Sequence, residues 1–203
     1  MFAQVIQGRT SNPEAVPEAT DRWMRDLAPG AVGWLGTTAG VTDDGQVVLV
    51  VRFESAEAAE SNSARPEQDR FWQETRRLFA GDPTFLESTD VTVETVGDPD
   101  RAGFVQVMQG QSSDPDRARE LMAQFPLEAM KDFRPDILGS VLIRHDGGRW
   151  TQVLYFTSEA EAREGERREP PPEWRATMEE LMKVEAAQPV FLDLRRPVLT
   201  TPR

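Results

Sequence analysis

Hydrophobic and polar positions follow the same order twice along the chain. From Ala3 to Gly8 they alternate, the period of a half-buried strand. Asn12-Pro13 then has the form of an N-cap followed by proline in a first helical turn, which predicts a helix over about 13–28; Asp114-Pro115 repeats the device and predicts one over about 115–133. Paired apolar runs follow at 33–41 and 46–53, turning at Asp43-Asp44-Gly45, and again at 138–144 and 149–156, turning at Asp146-Gly147-Gly148. Ser55 and Ser158 read as N-caps, and Glu161 completes a capping box with Ser158. The second helical region is broken by Pro66 in one half and by Pro170, Pro171 and Pro172 in the other. Beyond the break, Phe71, Leu78 and Phe79 share a helical face, as do Trp174, Met178, Leu181 and Met182. Last strands are predicted around Phe85-Leu86 and Phe191-Leu192, with Val91 to Val96 as one more.

This grammar reflects a duplication. Phe2 to Pro13 (FAQVIQGRTSNP) and Phe104 to Pro115 (FVQVMQGQSSDP) share seven of twelve residues. MRDLAPGAVG from Met24 answers MKDFRPDILG from Met130, and PTFLEST from Pro83 answers PVFLDLR from Pro189. The offset drifts between 102 and 106, as small loop changes after duplication produce. Two domains are expected, 1–97 and 104–203, with the polar segment 98–103 as linker.

Strand, helix, strand, strand, helix, strand is the ferredoxin-like βαββαβ order, an α+β class in which one sheet face carries the helices and the other must be covered. Two units in one chain meet that need by packing sheet to sheet, which predicts an intramolecular pseudo-dimer. The chain resembles the dimeric α/β-barrel superfamily, and within it the antibiotic-biosynthesis-monooxygenase-like domains. The resemblance rests on F-x-Q-V-x-Q-G at Phe2 to Gly8, P-G-x-x-G at Pro29 to Gly33, the Asp44-Gly45 hairpin and F-x-S-x-E-x-A at Phe53 to Ala59. It covers nearly the whole chain, once per half. The phrase N-S-x-R-P-E-Q, here Asn62 to Gln68, is similar to that of tandem proteins with no established activity. The resemblance implies a small pocket between sheet and helices in each half. It also implies cofactor-free oxygenation of an apolar or aromatic molecule as the enzymatic reading. Non-catalytic ligand binding or protein interaction on the same fold is the alternative.

Composition narrows the chemistry. The 203 residues include no cysteine and one histidine, His145, which removes thiolate chemistry, Cys-type metal sites and two-histidine metal sites. The haem-degrading members of the resembled family imply an axial histidine on a helix. His145 instead falls beside a hairpin and reads as a half-exposed turn residue, so neither a metal nor a haem cofactor is expected. Net charge is −12, of which residues 1–100 carry −10, and nucleic-acid binding is not expected. No apolar run spans a membrane and no signal-peptide pattern opens the chain, so a cytoplasmic protein is expected, with homo-dimerisation open to it.

Candidate pocket residues follow from the repeat and from polar or aromatic character. Gln4 pairs with Gln106 across the duplication and Gln7 with Gln109. On strand period, Gln4 shares a face with Phe2 and Ile6, and Gln7 takes the opposite face with Val5. The candidate set is Gln7, Gln109, Trp72, Trp174, Trp34 and Tyr155. For the glutamines the competing reading is a satisfied interface amide; for the tryptophans it is core packing; for Tyr155 it is packing at a sheet edge.

Overall fold

The computed structural model describes residues 1–202. In chain order it forms β1 (Phe2–Arg9), α1 (Ala15–Asp26), β2 (Trp34–Val41), β3 (Gln46–Phe53), α2 (Ala56–Ser63), α3 (Pro66–Thr75), β4 (Thr84–Ser88) and β5 (Asp90–Thr95). The second half follows with β6 (Phe104–Gln111), α4 (Pro115–Met122), α5 (Leu127–Met130), β7 (Ile137–Arg144), β8 (Arg149–Phe156), α6 (Glu159–Glu166), α7 (Pro172–Val184), β9 (Val190–Leu194) and β10 (Val198–Thr200). Two five-stranded sheets result, ordered β10-β2-β3-β1-β4 and β5-β7-β8-β6-β9. Without the fifth strand, each has the ferredoxin-like order. The class is α+β, two such domains in tandem.

The fifth strands change the division of the chain. β5 follows the first half in sequence but joins the sheet of the second, beside β7, while β10 at the far end returns to pair with β2. The compact units are accordingly Met1–Val91 with Asp193–Arg203, and Thr92–Leu192, rather than halves parted at 98–103. Residues 98–103 carry a short helical turn, Pro99–Arg101, capped by the Asp98 carboxylate. The sequence pattern predicts β5 as a strand, but pairing partners are set by long-range register, which periodicity does not encode.

Local differences have local causes. Asn12 does not cap α1, because Pro13 and Glu14 form a preceding turn and the helix starts at Ala15 with no side-chain cap. Its counterpart Asp114 does cap, accepting from the Arg117 amide at 3.0 Å. The helix expected over 115–133 is two helices, since Pro126 lacks the amide hydrogen needed to continue α4. Ser55 and Ser158 accept from the amides of Ala58 and Glu161, as N-caps should.

One sheet face in each unit carries the helices. In the first unit Phe2, Trp34 and Phe53 meet Ala31 and Ala59 there; in the second, Phe104, Ile137 and Phe156 meet Leu127 and Ala162. Each such large side chain contributes roughly 1.5–3 kcal/mol on burial. The opposite faces are also buried: Ala3, Val5, Val48, Val105, Val107 and Val153 have no exposure. Among the described residues no helix is long and apolar enough to cross a membrane.

The returning strand yields a test. A chain ending after Arg196 lacks β10 and leaves the β2 backbone edge unpaired. Its urea midpoint is expected to fall, by the equivalent of about 1–3 kcal/mol for the lost ladder and its desolvated edge. An unchanged midpoint in equilibrium unfolding would show that β10 adds nothing to the first unit.

Candidate functional site

Strand parity decides which side chains face the helices. On β1, Phe2, Gln4 and Ile6 do so; on β3, Val47, Leu49, Val51 and Phe53. β4 adds Phe85 and Glu87, because its register sets Glu87 opposite Gln4 and Phe85 opposite Ile6. Above this surface α1, α2 and α3 do not close completely, and a cavity of about 580 Å³ lies beneath them in the first unit. That volume falls within the roughly 300–1,000 Å³ of small-molecule sites.

Two aromatic groups wall the cavity. Trp23 of α1 stands edge-on to Trp34, ring centres 5.0 Å apart. Trp72 of α3 meets Phe85 edge-on at 5.4 Å and Phe79 at 6.3 Å. The Trp34 indole does not reach the cavity; its Nε1 donates to Thr37 Oγ1 at 3.1 Å, and Thr37 does line the cavity. Polar groups line it as well, some of them anchored. Gln4 Nε2 donates to Glu87 Oε1 at 2.6 Å, and Trp23 Nε1 donates to Gln68 Oε1 at 2.8 Å. The Thr75 hydroxyl, in the same wall, is buried without a hydrogen-bond partner.

The N-S-A-R-P-E-Q segment holds this arrangement open. Pro66 ends the helical continuity and begins α3. Arg65, just before it, donates from one guanidinium nitrogen to Asn62 Oδ1 at 2.9 Å and to the Leu27 carbonyl at 3.1 Å. It thereby ties the α2–α3 corner to the end of α1. Its Nε also pairs with Glu67 at 2.9 Å, and the Glu67 carboxyl is held below its usual pKa first by its own backbone amide and then by Arg65. Gln68 makes the second tie through Trp23. The duplication retains half of the device: Arg168 donates to the Phe133 carbonyl at 3.0 Å, and Phe133 matches Leu27 across the repeat.

The expected site residues scatter. Trp72 lines the cavity. Gln7 does not: it shares the face of β1 turned away from the helices with Ala3 and Val5, and the duplicated glutamine in the cavity wall is Gln4. In the second unit, Gln109 and Tyr155 likewise sit on the face turned from the helices, while Trp174 is on the helical side between Phe125 and Phe133, at 6.1 and 5.6 Å. These three do not converge. Tyr155 lies on an interior strand, 4% exposed, not at an edge. His145 is buried rather than half-exposed: its Nε2 contacts Thr151 Oγ1 at 3.1 Å, which also accepts from Gln109 Nε2 at 3.1 Å. Trp150 covers Gly110 and donates to Glu185, whose carboxyl pKa is raised by burial. No group of three or more potential metal-ligating side chains occurs among the described residues.

Glu87, Phe85 and Trp23 are the wall residues that sequence reasoning passed over. Parity on β1 carried a signal for Gln4, since it shares a face with Phe2. Glu87 had none, because the β1–β4 register is a long-range property.

No family model matches the chain, and no curated protein matches it. Solved structures do. A candidate monooxygenase from Fusobacterium nucleatum superposes with a TM-score of 0.78 at 11% identity, over 98% of this chain and 94% of that one. A second, from Lactobacillus acidophilus, gives 0.76 at 12%, over 98% and 95%. An anthrone oxidase-like protein gives 0.63 at 15%, over 98% and 92%.

Arg65→Ala removes the tie at the α2–α3 corner and leaves Asn62, which is 7% exposed, without its partner. A loss of about 1–3 kcal/mol is expected in urea unfolding. Gln68→Leu should shift the Trp23 contribution to tryptophan emission to the blue, as the indole exchanges a polar acceptor for an apolar neighbour. The chain shares its fold with these solved proteins.

Proposed function

We propose that the protein binds a small, largely apolar aromatic molecule in the cavity of its first unit and oxygenates it with no cofactor of its own. The observation that carries this reading is the 580 Å³ space walled by Trp23, Trp72 and Phe85, with one anchored carboxylate–amide pair facing into it. The fold shared with candidate monooxygenases and an anthrone oxidase-like protein supports the choice of reaction.

The chemistry asks little of the chain. An activated methylene beside an aromatic ketone loses a proton to a base, and the resulting carbanion reduces dioxygen. One oxygen atom ends as the new carbonyl and the other leaves as water with the two hydrogens removed. Glu87 is the base in this reading: Gln4 fixes its Oε1, and Oε2 has no partner among the described residues. Trp72 and Phe85 hold the ring beside the base.

Anthrone is the natural first probe. Calorimetric binding, with dioxygen consumed in equal amount to the ketone formed, is expected. Glu87→Gln should lower turnover by about a hundredfold or more with binding retained, the scale of a lost general base. Trp72→Ala should weaken binding. Binding of aromatic ligands without oxygen consumption would replace the reaction with a non-catalytic ligand-binding role. An absence of any aromatic ligand binding would overturn the reading.

A further inference from the structure

The cavity's charge is one-sided. Glu60 of α2, Asp69 of α3 and Glu87 of β4 all contribute to its lining, and no lysine, arginine or histidine does. None of the three makes an ion pair among the described residues. Asp69 accepts only from Gln73, at 3.4 Å, and Glu87 only from Gln4. Of the arginines close by, Arg65 is engaged with Glu67, Asn62 and Leu27 and Arg22 with Glu74 at 2.8 Å, while Arg70, next to Asp69 in sequence, lies outside the lining.

The aromatic walls favour the same sign. The face of a tryptophan or phenylalanine ring attracts a cation through its quadrupole, and a concave low-dielectric wall concentrates the field of nearby carboxylates. The Phe71 ring, which helps line the cavity, has the Arg22 guanidinium 4.9 Å from its centre, although Arg22 itself is not part of the lining. An anionic ligand would instead meet three uncompensated carboxylates.

We propose that the cavity selects aromatic ligands bearing a protonated amine, the ring lying against Trp72 and Phe85 and the ammonium group toward Glu60 and Asp69. This rests on the cavity being a ligand site, and it adds the charge that the cavity favours in a ligand.

Three probes of one shape test it: naphthylethylamine, naphthylethanol and naphthylacetate, titrated calorimetrically into the intact protein at low salt. The amine is expected to bind about tenfold tighter than the alcohol, and the carboxylate more weakly than the alcohol. Added salt should narrow the gap. In the double variant Glu60→Gln, Asp69→Asn the preference for the amine should shrink to below about threefold, with the affinity for the alcohol unchanged. Equal binding of amine and alcohol, or tightest binding of the carboxylate, overturns the charge assignment and leaves the aromatic site standing. Failure of all three probes to bind overturns the site together with the inference.

Discussion

Proline 66 cannot donate a backbone hydrogen bond, so the helical segment after β3 cannot run straight across the sheet. It bends into α2 and α3, and the bend needs a fixed angle if the space beneath is not to collapse. Arg65 supplies that angle by bonding at once to Asn62 of α2 and to the carbonyl that ends α1. Gln68, a few residues on, holds the Trp23 indole. Both ties come from one seven-residue stretch, and both set the distance between α1 and α3. The cavity follows from them: part of the sheet face, Leu49 and Val51 included, stays open because the helices above it are held apart by hydrogen bonds.

The second unit shows what the same plan does with other residues. Its arginine tie to the end of the first helical region persists through Arg168 and Phe133. The neighbouring space differs, because Trp174 lies edge-on to both Phe125 and Phe133. Arg134 pairs with the buried Asp136 at 2.6 Å and crowds Gly165, where any side chain would meet the guanidinium. The two units share a skeleton while the side chains under their helices differ. The charge imbalance between the halves runs the same way, since the more acidic half carries the three unpaired cavity carboxylates.

Much of the fold was legible because local chemistry repeats: alternation in β1, the serine caps at Ser55 and Ser158, and the proline break at Pro66. The duplication was legible because FAQVIQG and FVQVMQG differ at only two positions. What was not legible depends on register and return paths. β5 and β10 have ordinary strand sequences, and nothing local says which sheet each joins. The choice of Gln7 over Gln4 for the pocket went astray for a related reason. Strand period separates the two faces, but which face lies under the helices is settled by Phe2 packing with Phe53 and Ala59. Trp72 was a candidate through its aromatic character and its match with Trp174 across the repeat, and it does line the cavity. Glu87 waited on the β1–β4 pairing.

The central claim, that the first unit's cavity is where a ligand binds, is tested most directly by fluorine NMR of protein labelled with fluorotryptophan, which has five reporters in known places. On titration with naphthylethylamine, the resonances of Trp23 and Trp72 should shift together and saturably, while those of Trp150 and Trp174 stay in place. Saturable shifts confined to Trp150 or Trp174, or no shift at either Trp23 or Trp72, would contradict it.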